Sequence, residues 1–333
     1  MRFAAILLLL AIVSGVFRLE AEATPILAIV SGTFRLKAEA TPVLADRSRS
    51  FRLQAEARRQ SEAHLRISGT RFLKPDGSVF QWRGISAFRL LEFVAHGREK
   101  DADAYLRWAA SKRLNVVRVF AMADGIFQLT PEDGLRALPR LLEVARKHGM
   151  YVEVVAFTGT GVIKVDRAAF VTSIAAICAR HPNALLEFAN EPGHPTQAKE
   201  MHEPAHLRSL LPLVPKGVPI ALGSVEYHDG FAAGTYVTWH SPRGPDWVKQ
   251  LEEGVALLKR FQKPVINDEP IGAADAAVPG RRDNDPARFR AAAAAMRRAG
   301  IGATFHYDGG IQTRMPTKGE LACLDAWLTG LGS

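Results

Sequence analysis

The stretch YVEVVAFTGTGVIKVDRAAFVTSIAAICARHPNALLEFANEP, residues 151–192, reads as a strand, a helix and a second strand. Tyr151–Phe157 and Leu185–Asn190 are the strand-like runs, and Arg167–Arg180 between them is an amphipathic helical run with Pro182 just beyond its end. A strand–helix–strand unit implies two parallel neighbours in one sheet. The same alternation continues on both sides. The other candidate strands are Arg83–Ala87, Val116–Phe120, Val218–Gly223, Tyr236–His240, Pro264–Glu269 and Gly302–Tyr307. The other helical runs include Ala102–Lys112, Leu135–His148, Asp246–Phe261 and Pro286–Arg298, with Gly149 and Gly300 closing two of them. Eight such units in a chain of this length predict a (β/α)8 TIM barrel rather than an open doubly wound sheet. No Gly-x-Gly-x-x-Gly follows the first strand, which argues against a dinucleotide fold.

Upstream of the barrel, His64–Ile67 and Val79–Trp82 alternate like strands, and Pro75-Asp76-Gly77 supplies turn chemistry between them. This predicts a short N-terminal β-hairpin that plugs the bottom of the barrel. Residues 1–62 have a different character. Arg2 and the apolar run Phe3–Val13 precede Ala21-Glu22-Ala23, so residues 1–23 read as a signal peptide for a secreted or periplasmic protein. The apolar run is too short to span a bilayer comfortably, so no stable membrane span is expected after cleavage. Phe-Arg-Leu recurs at 17–19, 34–36 and 51–53, which marks residues 24–62 as a repetitive segment too short-period to stack into a core. The catalytic barrel is placed at 63–333.

The net charge is +9, yet residues 1–66 hold 10 of the 43 basic and 6 of the 34 acidic side chains, and the rest are scattered. With no basic run and no recognition motif, nucleic acid is not an expected partner. Cys178 and Cys323 lack metal or redox spacing and fall in helices that are not neighbours, so no disulfide is expected. His202-Glu203-Pro204-Ala205-His206 matches a zinc-peptidase pattern, but Pro204 would break the continuous helix that pattern needs. A loop or helix start fits it better.

Barrel enzymes carry their chemistry at the C-terminal ends of strands. The polar residues there are Ser86, Arg118, Asn190, Glu191, His240, Glu269 and His306. Two are glutamates followed by proline, in Asn190-Glu191-Pro192 after the fourth strand and Asp268-Glu269-Pro270 after the seventh. Two carboxyls facing each other suit glycoside cleavage, since one protonates the leaving oxygen while the other attacks the anomeric carbon. Period-two alternation would turn the neighbouring Asp268 away from Glu269.

This pair of motifs resembles clan A glycoside hydrolases, most closely the family 5 cellulase-like group, over His64 to the C-terminus. The resemblance implies a retaining hydrolase of β-linked oligo- or polysaccharides, with Glu191 as acid/base and Glu269 as nucleophile. It implies no metal and no organic cofactor. Arg118, in Asn115-Val116-Val117-Arg118, corresponds to the arginine beside the nucleophile, where a cation would keep Glu269 ionised. Asn190 corresponds to a residue that bonds the sugar's 2-hydroxyl, and His240 to the sixth-strand histidine. Glu187 also recurs in the family, in a structural role. The negative nucleophile is expected to raise the pKa of Glu191 and keep it protonated. Three positions depart from the family. Tyr151–Thr158 has no histidine, Pro242 replaces a tyrosine, and the eighth strand ends Thr304-Phe305-His306-Tyr307 where the family has tryptophan. His306 or Tyr307 can take that sugar-binding place, and the sequence leaves open which faces inward. Trp239 and Trp247 are the tryptophans expected near the cleft. The departures also admit an alternative, a catalytically impaired carbohydrate-binding barrel.

Overall fold

The computed structural model describes residues 63–125, 127–223 and 229–332. The expected signal peptide, its cleavage site and the 17-residue repeats lie outside the described residues. Within them, three short antiparallel strands come first: β1 (Arg66–Ser68), β2 (Arg71–Leu73) and β3 (Val79–Phe80). The turn between the last two is tied by Asp76, whose Oδ1 accepts from the Ser78 backbone N–H at 2.8 Å. The expected hairpin therefore has three strands rather than two.

Eight parallel strands follow: β4 (Arg83–Ser86), β5 (Val116–Phe120), β6 (Tyr151–Phe157), β7 (Ala184–Ala189), β8 (Ile220–Gly223), β9 (Val237–Trp239), β10 (Val265–Asn267) and β13 (Gly302–Phe305). Their order in the sheet is β8-β7-β6-β5-β4-β13-β10-β9. The two ends meet where the N–H groups of Thr235 and Tyr236 donate to the Ile220 carbonyl at 2.7 and 3.3 Å. The fold is a (β/α)8 barrel, as the alternation predicts. A two-stranded parallel ribbon, β11 (Gly272–Ala273) with β12 (Arg282–Asp283), is added after β10.

Local chemistry starts the helices, and the run expected from Leu135 begins four residues earlier, at Pro131. Thr130 caps Pro131–Lys147, Asp166 caps Arg167–Arg180 and Asp285 caps Pro286–Ala299, each side chain accepting from a first-turn N–H. Thr317 and Glu320 form a capping box for Lys318–Leu331. Pro204 is the first residue of the helix Pro204–Leu210, the position where a missing N–H costs nothing. The two histidines flanking it are thus not on one continuous helix. Cys178 and Cys323 are both free and buried. No helix among the described residues is long and apolar enough to cross a membrane.

Alternation along each strand separates two interiors. Val117 and Val119 on β5, Leu186 and Phe188 on β7, and Val237 and Trp239 on β9 join the core between sheet and helices. Their neighbours point to the barrel axis. At the floor, Phe72 and Phe80 of the hairpin pack with Trp82, Val116, Leu185, Tyr236 and Ile266. Phe80 lies 4.9 Å from the Tyr151 ring and Phe72 5.4 Å from Tyr236. The hairpin closes the N-terminal end, and only the C-terminal end is left to build a site.

Candidate active site

Above the apolar floor the axis becomes ionic. Arg118, at the third position of β5, is fully buried. Its guanidinium donates to both oxygens of Glu187 at 3.0 and 3.1 Å, to Asn190 Oδ1 at 2.9 Å and to Glu269 Oε1 at 2.8 Å. Asp268 Oδ2 and Glu153 Oε2 stand 3.2 and 3.8 Å from Nε. Burial raises Glu187, to about 7, even against the pull of Arg118. Burial and the nearby Glu187 and Asp268 carboxyls push Glu153 well above the carboxylate range, while Tyr236 donates to its Oε1 at 2.9 Å.

The upper layer holds the two glutamates. Glu191 lies two residues beyond the end of β7, and its carboxylate accepts from His240 Nδ1 at 3.1 Å. Its backbone is left-handed at φ 45°, which costs about 1–3 kcal/mol for a non-glycine residue. Pro192 follows at once. Gly223, at the end of β8, gives it room, since a Cβ there would stand 2.7 Å from Pro192 Cγ. Glu269 is nearly buried, with one oxygen on Arg118 and the other 2.9 Å from Arg243 Nη2. Oxygens of Glu191 and Glu269 and a ring nitrogen of His240 all lie within 4.8 Å of one another.

The charges of this layer are set by one another. For Glu269, burial would raise the pKa, but His240, His306, Arg118 and Arg243 together outweigh it and hold the carboxyl well below its usual range. Burial would lower the pKa of His240. Glu269, Asp268 and the bond to Glu191 instead push it up to about 10, so it is an imidazolium at neutral pH. The hydrogen bond from His240 lowers Glu191 despite burial and the repulsion of Glu269. This corrects the expectation of a raised pKa for Glu191, because the closest charge to it is a cation and not the other glutamate.

Five other expectations meet the structure as follows. His306 faces the axis, with Nδ1 2.9 Å from Ser86 Oγ, and burial lowers its pKa to about 4. Tyr307 faces the opposite way. It is fully buried behind the sheet, with its hydroxyl 2.8 Å from Tyr105 Oη and donating to the Arg314 carbonyl. Trp239 is also fully buried in the outer core, because it occupies an odd position on a strand whose even positions, Thr238 and His240, face the axis. Trp247 lies in that outer core too, its Nε1 donating to Asp283 at 2.7 Å. Neither Tyr307 nor Trp239 lines the cleft. Asp268 does not turn away from Glu269. Strand β10 ends at Asn267, so alternation stops there, and both carboxyls reach the same cations. Asp268 Oδ1 is 3.3 Å from His240 Nε2.

Among the described residues, two groups have the donor atoms to hold a metal ion: Glu191, His240 and Glu269, and Glu153, Glu187 and Asp268. In the second, Arg118 already supplies the positive charge between the carboxyls. In the first, His240 Nδ1 is 3.1 Å from Glu191 and its Nε2 3.3 Å from Asp268.

No family model matches the sequence, and no curated protein matches it. Solved structures do match the fold. A β-glucanase from Saccharophagus degradans in complex with cellotetraose aligns over 81% of this chain and 94% of its own, at TM-score 0.59 and 13% identity. The fold is that of family 5 glycoside hydrolases. A family 5 mannosidase from Rhizomucor miehei aligns over 82% of this chain and 98% of its own, at TM-score 0.58 and 13% identity. A family 5 structure from Bacteroides vulgatus aligns at TM-score 0.54 and 16% identity over 76% of this chain, which spans 64% of that one. The chain spans 55% of a second structure from the same organism.

Against the family pattern, the residue that sequence reasoning missed is Arg243. It lies three positions after His240, in the loop where the family carries its tyrosine. A single arginine between Pro242 and Gly244-Pro245 was the only signal, and an isolated basic residue in a loop does not stand out in a chain with so many arginines.

Proposed function

We propose that the protein is a retaining glycoside hydrolase that cleaves β-linked glycans by double displacement, outside the cytoplasm. Glu269 is the nucleophile. Its carboxylate attacks the anomeric carbon while Glu191 gives a proton to the leaving oxygen, and a covalent glycosyl–enzyme forms. Glu191 then takes a proton from water, which releases the sugar with its configuration retained. The observation that carries this reading is the approach of Glu191 and Glu269 oxygens to within 4.8 Å. Inverting enzymes hold the two carboxyls about 6.5–9.5 Å apart to admit a water between them. Arg118 keeps Glu269 ionised and oriented. Asn190 is held by Arg118 through its oxygen, so its NH2 group is the part left to donate to a sugar hydroxyl.

Incubation with activated 2-deoxy-2-fluoro glycosides, followed by digestion and mass mapping, tests the proposal. A glycosyl adduct on Glu269 is expected. An adduct on Asp268 would reassign the nucleophile to its neighbour. Absence of any adduct across a broad sugar panel, with glycan binding retained, would favour a binding barrel instead.

A pH dependence follows from His240. The productive state has Glu269 ionised and Glu191 protonated. Because the imidazolium lowers the pKa of Glu191, the protonated fraction declines early as pH rises. The profile of kcat/KM is therefore expected to peak in the acid range and fall toward neutrality. His240→Gln removes the charge, lets the pKa of Glu191 rise and should move the falling limb to higher pH. A limb that stays in place would show that His240 does not set this pKa.

A further inference from the structure

Two guanidiniums meet Glu269, and they are not equivalent. Arg118 is fully buried and donates to Glu187, Asn190 and Glu269. Arg243 is different. Its side chain is 32% exposed, and its hydrogen bonds among the described residues come from Nη2 alone, to Glu269 Oε2 at 2.9 Å and to the Glu269 carbonyl at 3.3 Å. Among the described residues, Nε and Nη1 have no acceptor. The loop that carries it is held firmly. Pro242 and Pro245 flank it, and Arg288, itself paired with Asp283 at 2.6 Å, donates to the Pro245 carbonyl. The side chain thus presents unused N–H donors from a fixed position, beside the atom that would attack the sugar.

The aromatic rings beside Arg118 are those of Phe88 and Phe120, and no tryptophan joins them. All five tryptophans are turned elsewhere. Trp82 is in the floor, Trp239, Trp247 and Trp327 are in the outer core, and Trp108 packs against that core from a helix. Stacking on tryptophan, with its large apolar area, is not available to the sugar. A guanidinium with free donors makes its strongest hydrogen bonds to an oxyanion, about twice as strong as those to neutral hydroxyls.

We propose that Arg243 selects glycosides whose sugar at the cleavage point carries an anion, either a uronic-acid carboxylate or a sulfate ester. This rests on the hydrolase reading above, and it adds a substrate class to it. An anion bound to Nη1 leaves the Nη2 contact to Glu269 in place, so one side chain both recognises the substrate and orients the nucleophile.

The test is a set of matched 4-nitrophenyl β-glycosides: glucoside with glucuronide, galactoside with galacturonide, and each neutral sugar with its 6-sulfate. The expected result is a preference of tenfold or more in kcat/KM for an anionic member of at least one pair. A preference confined to the uronides or to the sulfates identifies the source of the anion. Arg243→Gln should bring that ratio close to one, chiefly by raising KM for the anionic member. Arg243→Lys keeps the charge and should retain part of the preference. If the neutral member is the better substrate in every pair, the inference falls while the hydrolase reading stands. An equal loss on both members in Arg243→Gln also overturns it, since Arg243 would then act on Glu269 alone. If no glycoside is turned over and no fluoro sugar labels Glu269, both fall together.

Discussion

Glu269→Ala is expected to reduce turnover by ~10^4-fold or more, the scale seen when a residue that forms the covalent bond is removed. The replacement leaves a small space at the bottom of the cleft with the guanidiniums of Arg118 and Arg243 facing it. Such a space attracts a small anion. Azide added to the variant should therefore restore cleavage of substrates with good leaving groups. It would attack from the face Glu269 used and without a second displacement, so a β-glycoside should yield the α-glycosyl azide. Product configuration by NMR is the measurement. A Glu269→Ala variant with unchanged activity would end the assignment. Rescue giving the β-azide would mean that the azide replaces the role of Glu191 instead.

Arg118→Met should have the largest effect on stability. Four carboxyls, from Glu153, Glu187, Asp268 and Glu269, surround this one guanidinium, and all are nearly or fully buried. Removing one partner of a buried ionic group costs about 3–5 kcal/mol, because the charges left behind are desolvated and uncompensated. For a domain of this size that corresponds to a fall in Tm on the order of 10 °C. The sign of the pH dependence is also set. Without Arg118 the remaining carboxyls hold protons more tightly in the folded protein than in the unfolded chain. Folded-state binding of extra protons means stability that is present at low pH and lost as pH rises. The deficit relative to the parent protein should therefore shrink below about pH 5 and widen toward neutrality. Thermal melts across pH 4 to 8 check this. A variant that melts within a degree of the parent at every pH would show that the carboxyls neutralise one another by sharing protons, with no need of the arginine.

The barrel was legible because its signals are local and repeated. Val116–Phe120, Tyr151–Phe157 and Arg167–Arg180 have the same limits in the sequence reading and in the structure. Thr130, Asp166 and Asp285 mark helix starts through bonds that reach only a few residues along the chain. The short helices Leu90–Ala95 and Asp308–Gln312 were not legible, since each spans less than two turns and shows no periodicity. Alternation failed at Asp268, where the strand had already ended. At Trp239 and Tyr307 the parity rule would have given the facing correctly, had the register of the strand been anchored on His240 and His306.

By itself, then, the sequence determined the eight-fold alternation of strands and helices, the hairpin beneath it, and the placing of two Glu-Pro motifs at the ends of its fourth and seventh strands. Each depends on hydrogen bonding and apolar spacing between near neighbours in the chain. Only the tertiary structure decided which charges meet. The protonation of His240, the depressed pKa of Glu191, the second guanidinium on Glu269 and the carboxyls around Arg118 arise from residues far apart in sequence, brought within 4 Å in a water-poor interior. There a few ångströms decide between attraction and repulsion, and spacing along the chain carries no record of them.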